Sequence, residues 1–146
     1  MLKESLVKTT IPARAEFVDL IRLMLYGIAS KMKFSFEEIE DMKVAVSEAV
    51  NNAVVHAYGK EGGEIDVAFG ISDDELTIQV QDHGVAFEPD GIGKPASLQG
   101  KTIDEIQSGG LGLFLMQALM DRVEWKQEGG TSVTLAKKRA RSEETA

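Results

Sequence analysis

The chain has 146 residues, 43% hydrophobic and 27% charged, with a net charge of −8 and no cysteine. That length suits one domain, which at this size buries roughly 70% of its unfolded surface without a disulfide or metal staple. Disulfides, thiolate zinc sites, iron–sulfur clusters and thiol nucleophiles are excluded, and two histidines, His56 and His83, leave little for a histidine-rich metal site. The acidic balance argues against direct nucleic-acid binding, which needs a basic surface, but suits a basic protein partner. The opening MLKESLVKTT lacks the apolar core of a signal peptide. No apolar run approaches the roughly 18 residues of a membrane span, so the expectation is a cytoplasmic protein without membrane contact.

Taken in chain order, the β-branched stretch Ser5–Ile11 predicts a first strand, with Pro12 placed just before a helix. From Ala13 to about Met32, Phe17, Leu20, Ile21, Met24, Leu25, Ile28 and Met32 recur at helical spacing and predict a core-facing helix. Ser35 followed by Glu38 reads as a capping box that starts a second helix, running to about Ala57. Two alternating segments, Glu64–Ile71 and Leu76–Val80, are separated by Ser72-Asp73-Asp74-Glu75 and predict a hairpin. Residues 83–110 hold six glycines and two prolines, and a loop this long inside one domain is usually functional or disordered. A third helix is expected from about Leu111, carrying Leu113, Phe114, Met116, Gln117 and Leu119. Strands near Arg122–Gln127 and Thr131–Ala136 close the chain. The expected fold is an α+β two-layer sandwich: a mixed, mostly antiparallel sheet with three helices on one face. The domain is expected over residues 1–137, with a solvated tail from 138 to 146.

Three features carry chemistry. On the second helix, Met42, Ala45, Val46, Ala49, Val50, Ala53, Val54 and Ala57 fill one broad apolar arc. Glu48, Asn52 and His56 follow at i, i+4 steps along its flank. Val44 and Val55 lie beside Glu48, so this side is not a clean solvated face; a simple water-facing flank is the alternative. His56 lacks metal-ligand partners and suits a local hydrogen bond. At the end of the hairpin, Asp82-His83-Gly84 places an acid where a backbone could approach a ligand's donor edge, with an ordinary turn as the alternative. Finally, Ser108-Gly109-Gly110-Leu111-Gly112-Leu113 opens the third helix, where free N–H groups and the helix dipole favour an anion; tight packing or a hinge reads equally well. Gly100-Lys101-Thr102 is a decoy: a Walker A loop needs glycine at position 95, which is Pro95. Together the three features suit a nucleotide, with Asp82 toward an adenine amino group, Asn52 toward a divalent cation and the Gly110–Gly112 terminus toward phosphates.

Val46-Ser47-Glu48-Ala49-Val50-Asn51-Asn52-Ala53-Val54-Val55-His56 resembles the N box of the GHKL ATPases. Asp82-His83-Gly84-Val85-Ala86-Phe87 resembles their G1 box, Gly110-Leu111-Gly112-Leu113 their G2 box, and Gly130-Thr131-Ser132-Val133 the strand that closes the adenine pocket. Within that superfamily the wording and short length are most similar to bacterial anti-sigma-factor serine kinases of the RsbW type. The resemblance implies a cytoplasmic homodimer that sequesters an RNA polymerase sigma factor. With ATP and Mg²⁺ it also phosphorylates a STAS-type anti-sigma-factor antagonist on serine or threonine, in a stress-response type of regulation.

It further implies Glu48 as general base, Asn52 as Mg²⁺ holder, and Asp82 as adenine reader, supported by Thr131 through water. Gly84, Gly110, Leu111 and Gly112 would lie along the nucleotide. Lys94, Lys101 and Thr102 are polar candidates on the lid of about 83–110. Arg14 and Arg22 are candidates for partner contact, with ordinary solvated arginines as the alternative. Ala86 stands where many relatives have a second G1 glycine, and the segment 83–109 that leads into Gly110 has no arginine to touch a γ-phosphate. A nucleotide-gated binding module or an ATPase without protein-kinase activity is the rival reading.

Overall fold

Alternation of buried with more exposed residues marks the two central strands of the hairpin. Ile65, Val67 and Phe69 on one strand and Leu76, Ile78 and Val80 on the next are buried, and each stands opposite the other strand's buried row. The computed structural model describes residues 4–57, 63–83, 111–127 and 130–139. These form strand β1 (Ser5–Pro12), a 3₁₀ turn (Ala15–Phe17), helices α1 (Val18–Lys31) and α2 (Phe36–Ala57), and strands β2 (Glu64–Ile71) and β3 (Glu75–Asp82). Helix α3 (Leu111–Leu119) and strands β4 (Arg122–Gln127) and β5 (Thr131–Lys138) follow. The sheet order is β1-β2-β3-β5-β4. All pairings among the described strands are antiparallel, so the parallel pairing of a mixed sheet is not among them.

Helix α2 lies against β2, β3 and β5, with α1 and α3 packed on either part of its surface. Ile21, Leu25 and Ala29 of α1, Met42, Val46 and Val50 of α2, and Leu113 and Met116 of α3 join the strand residues in one apolar core. The opposite sheet face is polar: Lys8, Thr10, Gln79 and Glu124 are exposed along it, as expected for an antiparallel sheet covered on one side.

Several boundaries differ from the sequence reading. Pro12 is the last residue of β1, not a lead-in to a helix, and it is tolerated there because β1 is an edge strand. The first helix begins only at Val18, after the 3₁₀ turn, and Leu20 faces water instead of the core. It ends without glycine. Lys33 adopts φ 67°, Lys33 N–H donates to Ser30 O at 3.0 Å and Phe34 N–H to Ala29 O at 3.1 Å, which is a Schellman ending with lysine in the left-handed position. The capping box forms as expected: Ser35 N–H donates to Glu38 Oε1 at 2.7 Å and Glu38 N–H to Ser35 Oγ at 3.1 Å. The last strand continues through Lys138, and Arg139 N–H donates to Asp74 O at 2.7 Å, so order extends past the expected start of the tail.

Candidate active site

Burial of Met42, Ala45, Val46, Ala49 and Val50 against the sheet fixes the rotation of α2. That rotation leaves Glu48 and Asn52, one turn apart, half-buried on its flank. Val44 and Val55 are exposed beside them, the mixed surface that the sequence pattern called for. Glu48 lines an open cleft of about 270 Å³ with Arg22, Glu40, Lys43, Val44 and Ser47.

The cleft is braced from α1. Arg22 Nε donates to Ser47 Oγ at 2.8 Å, and the Ser47 hydroxyl donates to Lys43 O at 2.6 Å. Arg22 is also paired with Asp19 one turn earlier. Arg22 is therefore anchored across the α1–α2 seam at the rim that holds Glu48, whereas a solvated arginine would range freely. Lys43 pairs with Glu40 at 3.1 Å on the same rim. Sequence reading missed Ser47, whose signal was a hydroxyl between Val46 and Glu48, beside the apolar arc of the helix. Arg14 is not among the residues lining this cleft: its guanidinium lies 5.4 Å from the Phe17 ring centre and 3.7 Å from Glu16.

Asp82 ends β3 on the helix-covered face and is only 4% exposed. Thr131 N–H donates to its Oδ1 at 3.1 Å, a direct backbone contact. Gly130 precedes this donor at φ +127°, and a Cβ there would lie 2.2 Å from the Asp82 carbonyl oxygen. Glycine is required by both counts.

The next residue points the other way. The His83 ring approaches Asp66 at 2.6 Å on the open sheet face, and the Thr10 hydroxyl donates to Asp66 at 2.6 Å. The Thr10 and His83 hydrogen bonds hold the Asp66 carboxyl below its ordinary range. His83 therefore belongs to a surface cluster, away from the nucleotide candidates.

Gly112, in the first turn of α3, abuts Glu48: a Cβ at Gly112 would lie 2.7 Å from Glu48 Oε1. The structure thus joins the N-box and G2-box motifs at these residues, and the G1 acid to the closing strand at Asp82 and Thr131. Gly84, Gly110, Lys94, Lys101 and Thr102, the His56 and Leu111 side chains, and Ala86 lie outside the described residues.

The residues present fit a nucleotide and its cation. A buried carboxylate at a strand end, with one oxygen already held by a backbone N–H, suits an exocyclic amino donor. Among the described residues no group of three His, Cys, Asp or Glu side chains could hold a metal alone. The Asn52 amide oxygen is a hard donor of a kind that suits Mg²⁺ beside a nucleotide's phosphates.

These parts define an ATP-binding α+β domain. The family model described as a histidine kinase-like ATPase domain matches residues 11–137. Serine-protein kinase RsbW of Bacillus pumilus is 46% identical over 139 residues, covering 90% of this chain and 85% of that protein. The RsbW of Bacillus licheniformis is 47% identical over 131 residues, covering 86% and 81%, and that of Bacillus subtilis 41% over 134 residues, covering 90% and 84%. The crystal structure of the RsbU and RsbW domains of a Mycobacterium tuberculosis protein matches with a TM-score of 0.66 at 23% identity. It covers 92% of this chain and 32% of that one, a likeness of fold. The chain belongs to the histidine kinase-like ATPase domain family and, within it, to the RsbW-type serine-protein kinases, the anti-sigma-factor kinases that its motifs resemble. ATP binding and phosphoryl transfer to protein go with that membership.

Proposed function

We propose that this kinase sequesters an RNA polymerase sigma factor and, with Mg-ATP, phosphorylates a STAS-type anti-sigma-factor antagonist on serine or threonine. In this reading it acts as a cytoplasmic homodimer without contacting nucleic acid directly. The carrying observation is Glu48 in an open cleft, flanked by the anchored Arg22 on one side and the first turn of α3 on the other.

The roles follow from chemistry. The acceptor hydroxyl enters the cleft, and Glu48 accepts its proton as the hydroxyl oxygen forms its bond to the γ-phosphorus. The bond from that phosphorus to the leaving ADP oxygen breaks in the same passage. The transition state is loose, so positioning and charge neutralisation supply most of the rate. Asn52 would hold Mg²⁺ through its amide oxygen, and the cation would supply neutralisation of phosphate charge. Asp82 reads the adenine amino group, and Thr131 fixes the orientation of its carboxylate. Arg14 and Arg22 are the partner-facing cations, Arg22 being the one that shares the cleft with Glu48.

The test is the intact mass of a STAS-type antagonist after incubation with the chain and Mg-ATP. One added phosphoryl group, absent when Asn52→Ala replaces the wild type, supports transfer through this site. No added phosphoryl group from an antagonist shown to associate supports a nucleotide-gated binder instead.

A further inference from the structure

Glycines in the helices of this chain are not equivalent. Gly27 on α1 has nothing within 4 Å of the position a Cβ would take, so its space is open. Gly112 on α3 is buried, and the same construction there meets Glu48 three times: Oε1 at 2.7 Å, Cδ at 3.6 Å and Cβ at 3.7 Å. At Gly130 the obstruction is backbone and cannot yield, but at Gly112 it is the far end of a flexible side chain. A methyl group at 112 is therefore accommodated by moving the Glu48 carboxylate, with the fold retained.

We infer that Gly112 is a positioning residue for Glu48: its bare Cα lets the first turn of α3 close against the carboxylate and fix where that carboxylate stands. The inference deepens the proposed mechanism and rests on Glu48 being the base. It gives Gly112 a task beyond clearing the nucleotide's path, because the atom it makes room for belongs to the protein. Helix propensity points the same way. Alanine is favoured over glycine in a helix, so a glycine retained against Glu48 works against local stability.

Gly112→Ala, Glu48→Ala and the double variant test this, with a STAS-type antagonist that co-elutes with the wild-type chain as acceptor. Misplacing a reacting group by about 1 Å commonly costs about 100-fold in rate. Gly112→Ala is thus expected to lower kcat for phosphoryl transfer by between about tenfold and 100-fold, while KM for the antagonist stays within about twofold and the fold is kept. Adding Gly112→Ala to Glu48→Ala is expected to slow the residual transfer no further, and to raise Tm by about 3 °C as helix propensity is freed from the clash. The same change in the wild-type background is expected to give a smaller rise or a fall.

A wild-type kcat in Gly112→Ala, with Glu48→Ala inactive, overturns the positioning role alone. Equal Tm shifts in the two backgrounds show that the residues do not interact, and also overturn it. Undiminished transfer by Glu48→Ala overturns the assignment of the base and with it the positioning role.

Discussion

Asp82 and Thr131 meet where β3 ends and β5 begins, the Thr131 N–H donating to Asp82 Oδ1 at 3.1 Å. The contact depends on Gly130, whose positive φ and lack of a Cβ bring the chain against the Asp82 carbonyl. A buried carboxylate with one oxygen so held presents a fixed acceptor to a ligand. Asp82→Ala is expected to weaken ATP binding by roughly 10- to 100-fold, the usual scale for losing a hydrogen bond to a charged group. Isothermal titration checks it, and ATP affinity within about twofold of wild type contradicts it. Gly130→Ala is expected to cost about 2–3 kcal/mol of stability through strained backbone and steric overlap, read by urea denaturation.

Lys33 ends α1 in the left-handed conformation at φ 67°, where glycine meets no Cβ penalty. Lys33→Gly is expected to stabilise the chain by about 0.5–1 kcal/mol despite glycine's greater freedom when unfolded. Urea denaturation measures this, and a loss of stability contradicts the strain.

Asp66 sits among Thr10, His83 and Lys8 on the open sheet face, and the Thr10 hydrogen bond leads the causes that hold its carboxyl below the ordinary 3.8. A folded-state pKa below the unfolded one contributes stability that is full above the unfolded value and is lost as pH falls through the folded one. The Tm advantage of wild type over Asp66→Asn is expected to shrink as pH falls below about 4. An advantage that persists undiminished to about pH 3 contradicts this.

Arg22 reaches across from α1 to Ser47, the residue before Glu48. If the cleft receives the acceptor segment, Arg22→Ala should weaken antagonist binding by about tenfold or more, as truncating an interface arginine often does. Ser47→Ala, which removes only the anchor, should cost about threefold. Surface plasmon resonance at fixed nucleotide measures both; equal affinities place the partner elsewhere.

Much of this was legible in the residues. The Ser35–Glu38 pair announced the start of α2, because a capping box is a local, reciprocal bond pattern that needs no tertiary context. The apolar arc from Met42 to Val50 set the helix rotation and with it the flank carrying Glu48 and Asn52. The end of α1 near Met32 was legible from the helical spacing, but the left-handed Lys33 that closes it was not, since the usual signal there is glycine. Leu20 kept helical spacing with Ile21 and Met24 yet faces water, because period alone cannot place the edge of a stripe. The Glu48–Gly112 approach joins residues far apart in sequence, and no local pattern encodes such a distance. The motif order predicted that these boxes share a pocket, but not which atoms touch.

The account turns on Glu48, and the most direct measurement is the single-turnover rate of phosphoryl transfer to a STAS-type antagonist by Glu48→Ala at saturating Mg-ATP. Loss of a positioned general base predicts a rate lower by about 100- to 10,000-fold, with ATP still bound. A rate within about threefold of wild type, under the same saturation, would remove the base from this mechanism.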